Sequence, residues 1–216
     1  MRIERYGQSA MLLEDAGTRL LIDPGTLCKP AVFGLGDLEA VLFTHEHADH
    51  CDPARVAGLL AANPAAPVYS PAAVLALLGL AESPRGSQVA AGQAFAVGTF
   101  SVEPVGELHQ EILPEIARCT NSGYVVTDSA GTRLFHPGDS YETIPEHVDV
   151  LAVPLLGPWS SLHETVEFVK AVAPSHIFAI HDALLNEAGR ALFWRLLTTA
   201  VGPKISQLQV ESGGAA

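Results

Sequence analysis

The chain opens on an alternating segment, Arg2-Ile3-Glu4-Arg5-Tyr6, whose period of two predicts a strand with one buried face. Residues 10–14 and 19–22 are more continuously apolar, and Asp15-Ala16-Gly17 supplies a turn between them. Asp23-Pro24-Gly25 reverses the chain, and Ala40-Val41-Leu42-Phe43 reads as a further strand. Asp52-Pro53 predicts a helix start, with Asp at the N-cap and Pro at the first helical position, running to about Ala62. Ser70-Pro71 predicts a second start of the same kind, to about Leu78.

The pattern then returns to β over Gln93–Val97, Phe100–Val105, Tyr124–Thr127 and Arg133–His136. Val148–Pro154 reads as a buried strand, and His163 to Ala173 carries Val166, Val169 and Val172 at helical spacing. A strand over 176–180, a helix over 187–200 and a last strand over 205–209 follow. Strands and helices thus come in two successive β-then-α batches. Periodicity by itself supports one α/β domain over residues 1–210. The end, Glu211 to Ala216, is rich in small residues and is expected to fray.

Composition narrows the class. At 216 residues, 48% hydrophobic and 17% charged, the chain can bury a substantial single core. No apolar run is long enough to span a bilayer, and the N-terminus lacks the apolar core of a signal peptide. Cys28, Cys51 and Cys119 are odd in number and far apart, which argues against a disulfide framework and for a cytoplasmic home. The net charge of -12, with 12 basic against 24 acidic residues, disfavours nucleic acid as a partner. No basic stripe is visible in the linear sequence.

The most informative chemistry is Thr44-His45-Glu46-His47-Ala48-Asp49-His50, directly after the strand-like Ala40–Phe43. Imidazoles and a carboxylate are the ligands of a borderline divalent ion such as zinc. In an extended segment residues i and i+2 point the same way, so His45 and His47 can converge on one ion. Asp49 and His50 fall where the chain turns toward the next helix and can address a second. The bland alternative is a surface loop that happens to be rich in histidine.

This run resembles the H-x-H-x-D-H signature of the metallo-β-lactamase fold superfamily. The resemblance extends along the chain: His109 follows Phe100–Val105, Asp139 sits in Phe135-His136-Pro137-Gly138-Asp139-Ser140, and His181 ends Ile177–Ile180. Within the superfamily the chain looks most similar to compact hydrolases of the ascorbate-6-phosphate lactonase group. The resemblance implies a four-layer αβ/βα sandwich, two mixed sheets with helices outside. It also implies a ligand set, with His45, His47 and His109 on one metal, Asp49, His50 and His181 on a second, and Asp139 bridging. The cofactors implied are two divalent ions, zinc first, with manganese or iron as alternatives. Cys51, beside His50, is not called for by this pattern and reads as a small helix-start residue. An Asp/His second site resembles thioester, lactone and phosphodiester hydrolases more than the β-lactam-cleaving subgroup, which uses cysteine there.

The activity so implied is a binuclear metal-dependent hydrolase, using a metal-bridging hydroxide on a small ester, lactone, thioester or phosphodiester. Asp49 and Asp139 are the expected catalytic carboxylates, for proton transfer to the leaving group. A nuclease on the same fold and a non-catalytic metal-binding protein are the alternatives. The acidic charge weighs against the first and the complete ligand set against the second. A small molecule is the expected partner, with no nucleic acid and no membrane. For substrate contacts, residues 110–122 are expected to cover the mouth of the site, with Ile112, Leu113 and Ile116 as an apolar wall. Arg118 either meets an anionic group there or is a solvated loop charge. Trp159 either forms a second wall or is a lid on the core. His136 and Asp23 are expected to support the ligands from behind, Asp23 as acceptor for a ligand imidazole. His147, His163 and His176 read as surface or structural residues.

Overall fold

The computed structural model describes residues 1–214. The first half builds β1 (Arg2–Gly7), β2 (Ala10–Asp15), β3 (Thr18–Ile22), β4 (Ala40–Leu42), α1 (Pro53–Ala62), β5 (Val68–Ser70), α2 (Ala72–Leu77) and β6 (Gly86–Gln88). The second half builds β7 (Phe95–Val97), β8 (Phe100–Val105), β9 (Gly123–Thr127), β10 (Arg133–His136), β11 (Val150–Pro154), α3 (Leu162–Val172), β12 (His176–Ile180), α4 (Glu187–Val201), β13 (Ser206–Gln207) and β14 (Glu211–Ser212). One sheet has the order β14-β1-β2-β3-β4-β5-β6 and the other β13-β12-β11-β10-β9-β8-β7. Each begins with antiparallel hairpins and continues through parallel strands, so both are mixed.

The apolar runs of β2 and β3 explain the layering. Met11, Leu13, Leu20 and Ile22 face Val102, Tyr124, Val126 and Phe178 of the opposite sheet. Their neighbours Leu12 and Leu21 point the other way, toward Val56, Leu59 and Val74 of α1 and α2. A strand buried on both faces reads as continuous rather than alternating. On the far side, Val125, Phe135, Leu151 and Val153 pack under Val166 and Val169 of α3 and Leu197 of α4. Three apolar layers therefore separate four layers of secondary structure, the αβ/βα sandwich.

Asp52 caps α1 as its sequence predicts, accepting from the Arg55 N–H, with Pro53 at the first helical position. The second predicted start differs. Ser70 belongs to β5, its hydroxyl donates to the Pro71 carbonyl, and α2 begins at Ala72 without a side-chain cap. β5 and β6 span three residues each, too few for a period to show. The expected frayed end is also corrected. Glu211 and Ser212 pair in parallel with β1, and the Glu211 carboxylate accepts from the Arg2 guanidinium at 3.0 and 2.5 Å. Backbone pairing outweighs the low strand propensity of these small residues. Ala215 and Ala216 lie outside the described residues. Among the described residues no helix is long and apolar enough to cross a membrane.

Candidate metal centre

β3, β4, β8, β10 and β12 all end at one edge of the sandwich, and the loops leaving them carry the candidate ligands. This is where open α/β sheets bind ligands. The loop after β4 supplies His45, His47, Asp49 and His50. Those after β8, β10 and β12 supply His109, Asp139 and His181. The structure brings all seven together in two groups. His45, His47 and His109 form one; Asp49, His50, Asp139 and His181 form the other, with ligand atoms in each group within 4.8 Å of one another. Asp139 stands between the groups. Its Oδ2 lies 3.1 Å from His181 Nε2, 3.4 Å from His109 Nε2 and 3.9 Å from His45 Nε2, and its Oδ1 lies 3.1 Å from His50 Nε2.

Four of the five rings are oriented from behind. His109 Nδ1–H donates to the Gln110 carbonyl at 2.6 Å, and His181 Nδ1–H to the Leu156 carbonyl at 2.5 Å. His45 Nδ1 bonds the Thr44 hydroxyl at 3.0 Å, and His50 Nδ1 bonds Asp23 Oδ2 at 2.7 Å. These bonds fix the tautomer and leave Nε2 facing inward, as a metal-binding imidazole requires. The consequence is visible in the accounting of buried polar atoms. Nε2 of His45, His109 and His181, and Oδ1 of Asp139, are buried without a hydrogen-bond partner. Buried polar atoms are rarely left so, and four of them shared between two adjoining ligand groups fit bound cations.

Burial alone discharges an imidazole. It does so at His45, which burial and the neighbouring His50 hold well below the usual range, and at half-buried His47, which burial and His109 lower. At His50 and His181 the carboxylates overcome burial. Asp139 and Asp23 hold His50 well above its ordinary value, and Asp139 pushes His181 up to about 9. Asp139, despite its own burial, is held well below the carboxylate range by His50 and His181. The buried carboxylates thus favour positive charge among these rings, a demand that a divalent cation would meet.

Asp23 accepts from the Thr44 N–H at 2.8 Å and the Thr44 hydroxyl at 2.7 Å as well as from His50, the supporting place expected of it. His136 does not reach the ligand groups directly. Its Nε2 faces the Ser9 carbonyl at 3.1 Å, and its Nδ1 accepts from Gly138 N–H, fixing the turn that presents Asp139. Gly138 has φ +62, and a Cβ there would collide with the Asn121 side chain. Trp159 is buried, lines the cavity, and donates from Nε1 to Asp139 Oδ2 at 2.8 Å. Arg118 does not line the larger cavity; with His47, His109 and Ile112 it lines a small hollow beside it. Its Nε donates to the His109 carbonyl and its Nη2 to Glu142, both at 2.6 Å, so a carboxylate of the chain already engages its charge. Cys51 is buried against the α1 side of the first sheet, where burial and the nearby Asp23 push its thiol up to about 12.

The cavity holds about 310 Å³, with His47, Asp49, His109, Asp139 and His181 at its floor. Ile112 and Trp159 form walls, as do Leu27 and Leu184, which sequence reasoning missed. Gln8 was missed too. Fully buried at φ +46, it donates to Asp49 Oδ2 at 2.8 Å, accepts from the Ala183 N–H, and its carbonyl accepts from the His181 N–H. Asp23 and His181 share this left-handed backbone, at φ +48 and +52. Such strain clusters at functional sites. No periodic signal marks Gln8 or Asn121, because their partners lie on distant loops.

The chain belongs to the β-lactamase superfamily: residues 2–181 match the family described as the beta-lactamase superfamily domain, and its class is that of metal-dependent hydrolases. Among individual proteins, it is similar to Protein Rv0786c of Mycobacterium tuberculosis, 38% identical over 213 residues and covering 98% of each chain. In fold it is similar to the metallo-beta-lactamase fold protein YhfI of Bacillus subtilis, with a TM-score of 0.74 at 19% identity over 99% of this chain and 95% of that one. It is also similar to Igni18, a metallo hydrolase of Ignicoccus hospitalis, with a TM-score of 0.73 at 17% identity over 98% and 95%.

Proposed function

We propose that the chain is a binuclear hydrolase of a small ester, lactone, thioester or phosphodiester. His45, His47 and His109 would hold one divalent ion, Asp49, His50 and His181 a second, and Asp139 would serve both. The observation that carries this reading is the set of four buried, unpartnered ligand atoms on His45, His109, His181 and Asp139. Ions held there would lower the pKa of coordinated water from about 15.7 to roughly 7 and polarise the bond under attack. Zinc is the first expectation for an imidazole–carboxylate set without thiolate, with manganese or iron as alternatives.

The protein's own residues supply position and apolar walls. Gln8 holds Asp49 from one side and Trp159 holds Asp139 from another. Asp49 and Asp139 are the carboxylates at the cavity floor that can take up a proton and return it to the leaving group. Leu27, Ile112, Trp159 and Leu184 give the cavity apolar walls against which a substrate can pack. The three cysteines are unpaired, which suits a reducing, cytoplasmic setting.

Metal analysis under saturating supply, paired with a panel of lactones, thioesters and phosphodiesters, tests this reading. The expected plateau is about two ions per chain, because seven ligands exceed what one four-coordinate zinc takes. A plateau at one ion, or a fully loaded protein inert across the panel, counts against it. Trp159→Phe keeps the apolar wall but deletes the N–H that holds Asp139. It is expected to lower kcat roughly tenfold, the scale of lost support behind a ligand, with little change in KM. A steady-state measurement showing the loss in KM instead would assign Trp159 to substrate contact.

A further inference from the structure

A second cavity, of about 390 Å³, adjoins the metal centre. Leu27, 43% exposed, lines both and forms the ridge between them. Gln8, which holds Asp49, and Asp182, which follows His181, stand in its wall. Its charged lining comes from four distant parts of the chain: Arg5 of β1, Lys29 after β3, Asp182 and Arg190 around the start of α4, and Glu211 of β14.

These residues make a positive basin on an acidic protein. Three cations face two carboxylates there, while the whole chain carries -12. Glu211 is moreover occupied by Arg2, a residue outside the lining. Asp182 is shared between Arg5 and Arg190. Among the described residues Lys29 Nζ is bonded by neutral groups, the Ser212 hydroxyl at 2.7 Å and the Gly213 carbonyl at 3.1 Å, and no carboxylate among them pairs with it. Arg5 and Arg190 thus divide one carboxylate between two guanidinium groups, beside the Lys29 ammonium. Clustered cationic donors in excess of their carboxylates are the chemistry that receives a carboxylate or phosphate.

We propose that this basin binds the anionic end, a carboxylate or phosphate monoester, of a substrate whose scissile bond lies over the ridge at the metal centre. The assignment rests on the hydrolase reading above and adds the substrate class. It also relocates the anion contact from Arg118, which is engaged by Glu142, to Lys29, Arg190 and Arg5.

The test uses the intact, metal-loaded chain and the variants Lys29→Gln and Arg190→Gln, both at solvent-exposed positions. Matched esters ending in a carboxylate, a phosphate monoester or a neutral amide are compared by kcat/KM. The wild type is expected to prefer one or both anionic esters. Each variant is expected to cut the anionic-to-neutral ratio roughly tenfold, chiefly through KM, the worth of one charged hydrogen bond. Which anion gains more distinguishes carboxylate from phosphate. Calorimetry with inorganic phosphate gives a readout independent of turnover, and each variant is expected to weaken that binding by a similar factor. If no ester is cleaved, the hydrolase reading fails and calorimetry alone decides the anion site. Phosphate affinity equal in all three proteins, or a substrate ratio that neither variant moves, overturns the proposal.

Discussion

Asp139→Ala is expected to lose metal from both ligand groups and to lower hydrolysis on the order of a thousandfold or more, the scale of removing a single preorganised electrostatic group. The reason is its position. One carboxylate lies within 3.1–3.4 Å of His50, His109 and His181, and no other residue touches both groups so closely. Asp139→Asn separates charge from shape: the amide oxygen can keep the Trp159 bond, but the anion that binds cations is gone. Asn is therefore expected to lose metal nearly as fully as Ala. Cys51→Ala is the control, since its thiol is a small apolar filler packed with Val41 and Leu59. Metal analysis of the three variants decides the assignment. Loss of metal in Cys51→Ala, or full loading of Asp139→Ala, would show that the ligands are grouped wrongly.

Which residues meet at the candidate centre was legible in the sequence, and what holds them there was not, for a physical reason. A ligand at a strand end announces itself, because an apolar run stops at a His or Asp: Val41-Leu42-Phe43 before His45, Phe135 before Asp139, Ile180 before His181. The four residues of the first loop are also close in sequence, so the period of an extended strand already groups them. The supporting bonds are long-range. Gln8 reaches Asp49 across 41 positions and Trp159 reaches Asp139 across 20, and neither distance has a period that a sequence reveals. Arg118 stayed open between an anion contact and a loop charge for the same reason: Glu142, which engages its guanidinium, lies 24 residues further on. The basic basin is the extreme case, since Arg5, Lys29 and Arg190 become neighbours only through the two sheets.

Asp23 joins folding to chemistry, and its replacement is expected to damage both. Its fully buried carboxylate takes three donors, the Thr44 N–H, the Thr44 hydroxyl and His50 Nδ1–H, all within 2.8 Å. Asp23→Ala leaves them without acceptors in a site closed to water. At about 1–3 kcal/mol for each buried group so orphaned, with partial relaxation, the loss is about 3–5 kcal/mol. For a chain of this size that lowers Tm by roughly 6–20 °C. The left-handed backbone at φ +48 adds to the cost of alanine, because Asp and Asn tolerate that region better. Asp23→Asn therefore isolates the chemical part. It suits the same backbone and keeps one acceptor oxygen, but its amide donors face groups that are themselves donors. We expect Asn to recover part of the lost Tm, while metal affinity at the Asp49–His50–His181 group stays about 10–100-fold weakened, as when the partner behind a ligand imidazole is removed. Thermal melts of the metal-free proteins and competitive chelator titrations separate the two effects. Wild-type metal affinity in Asp23→Asn would mean that the carboxylate serves the fold alone, and an unchanged Tm in Asp23→Ala would mean that its three donors find other acceptors.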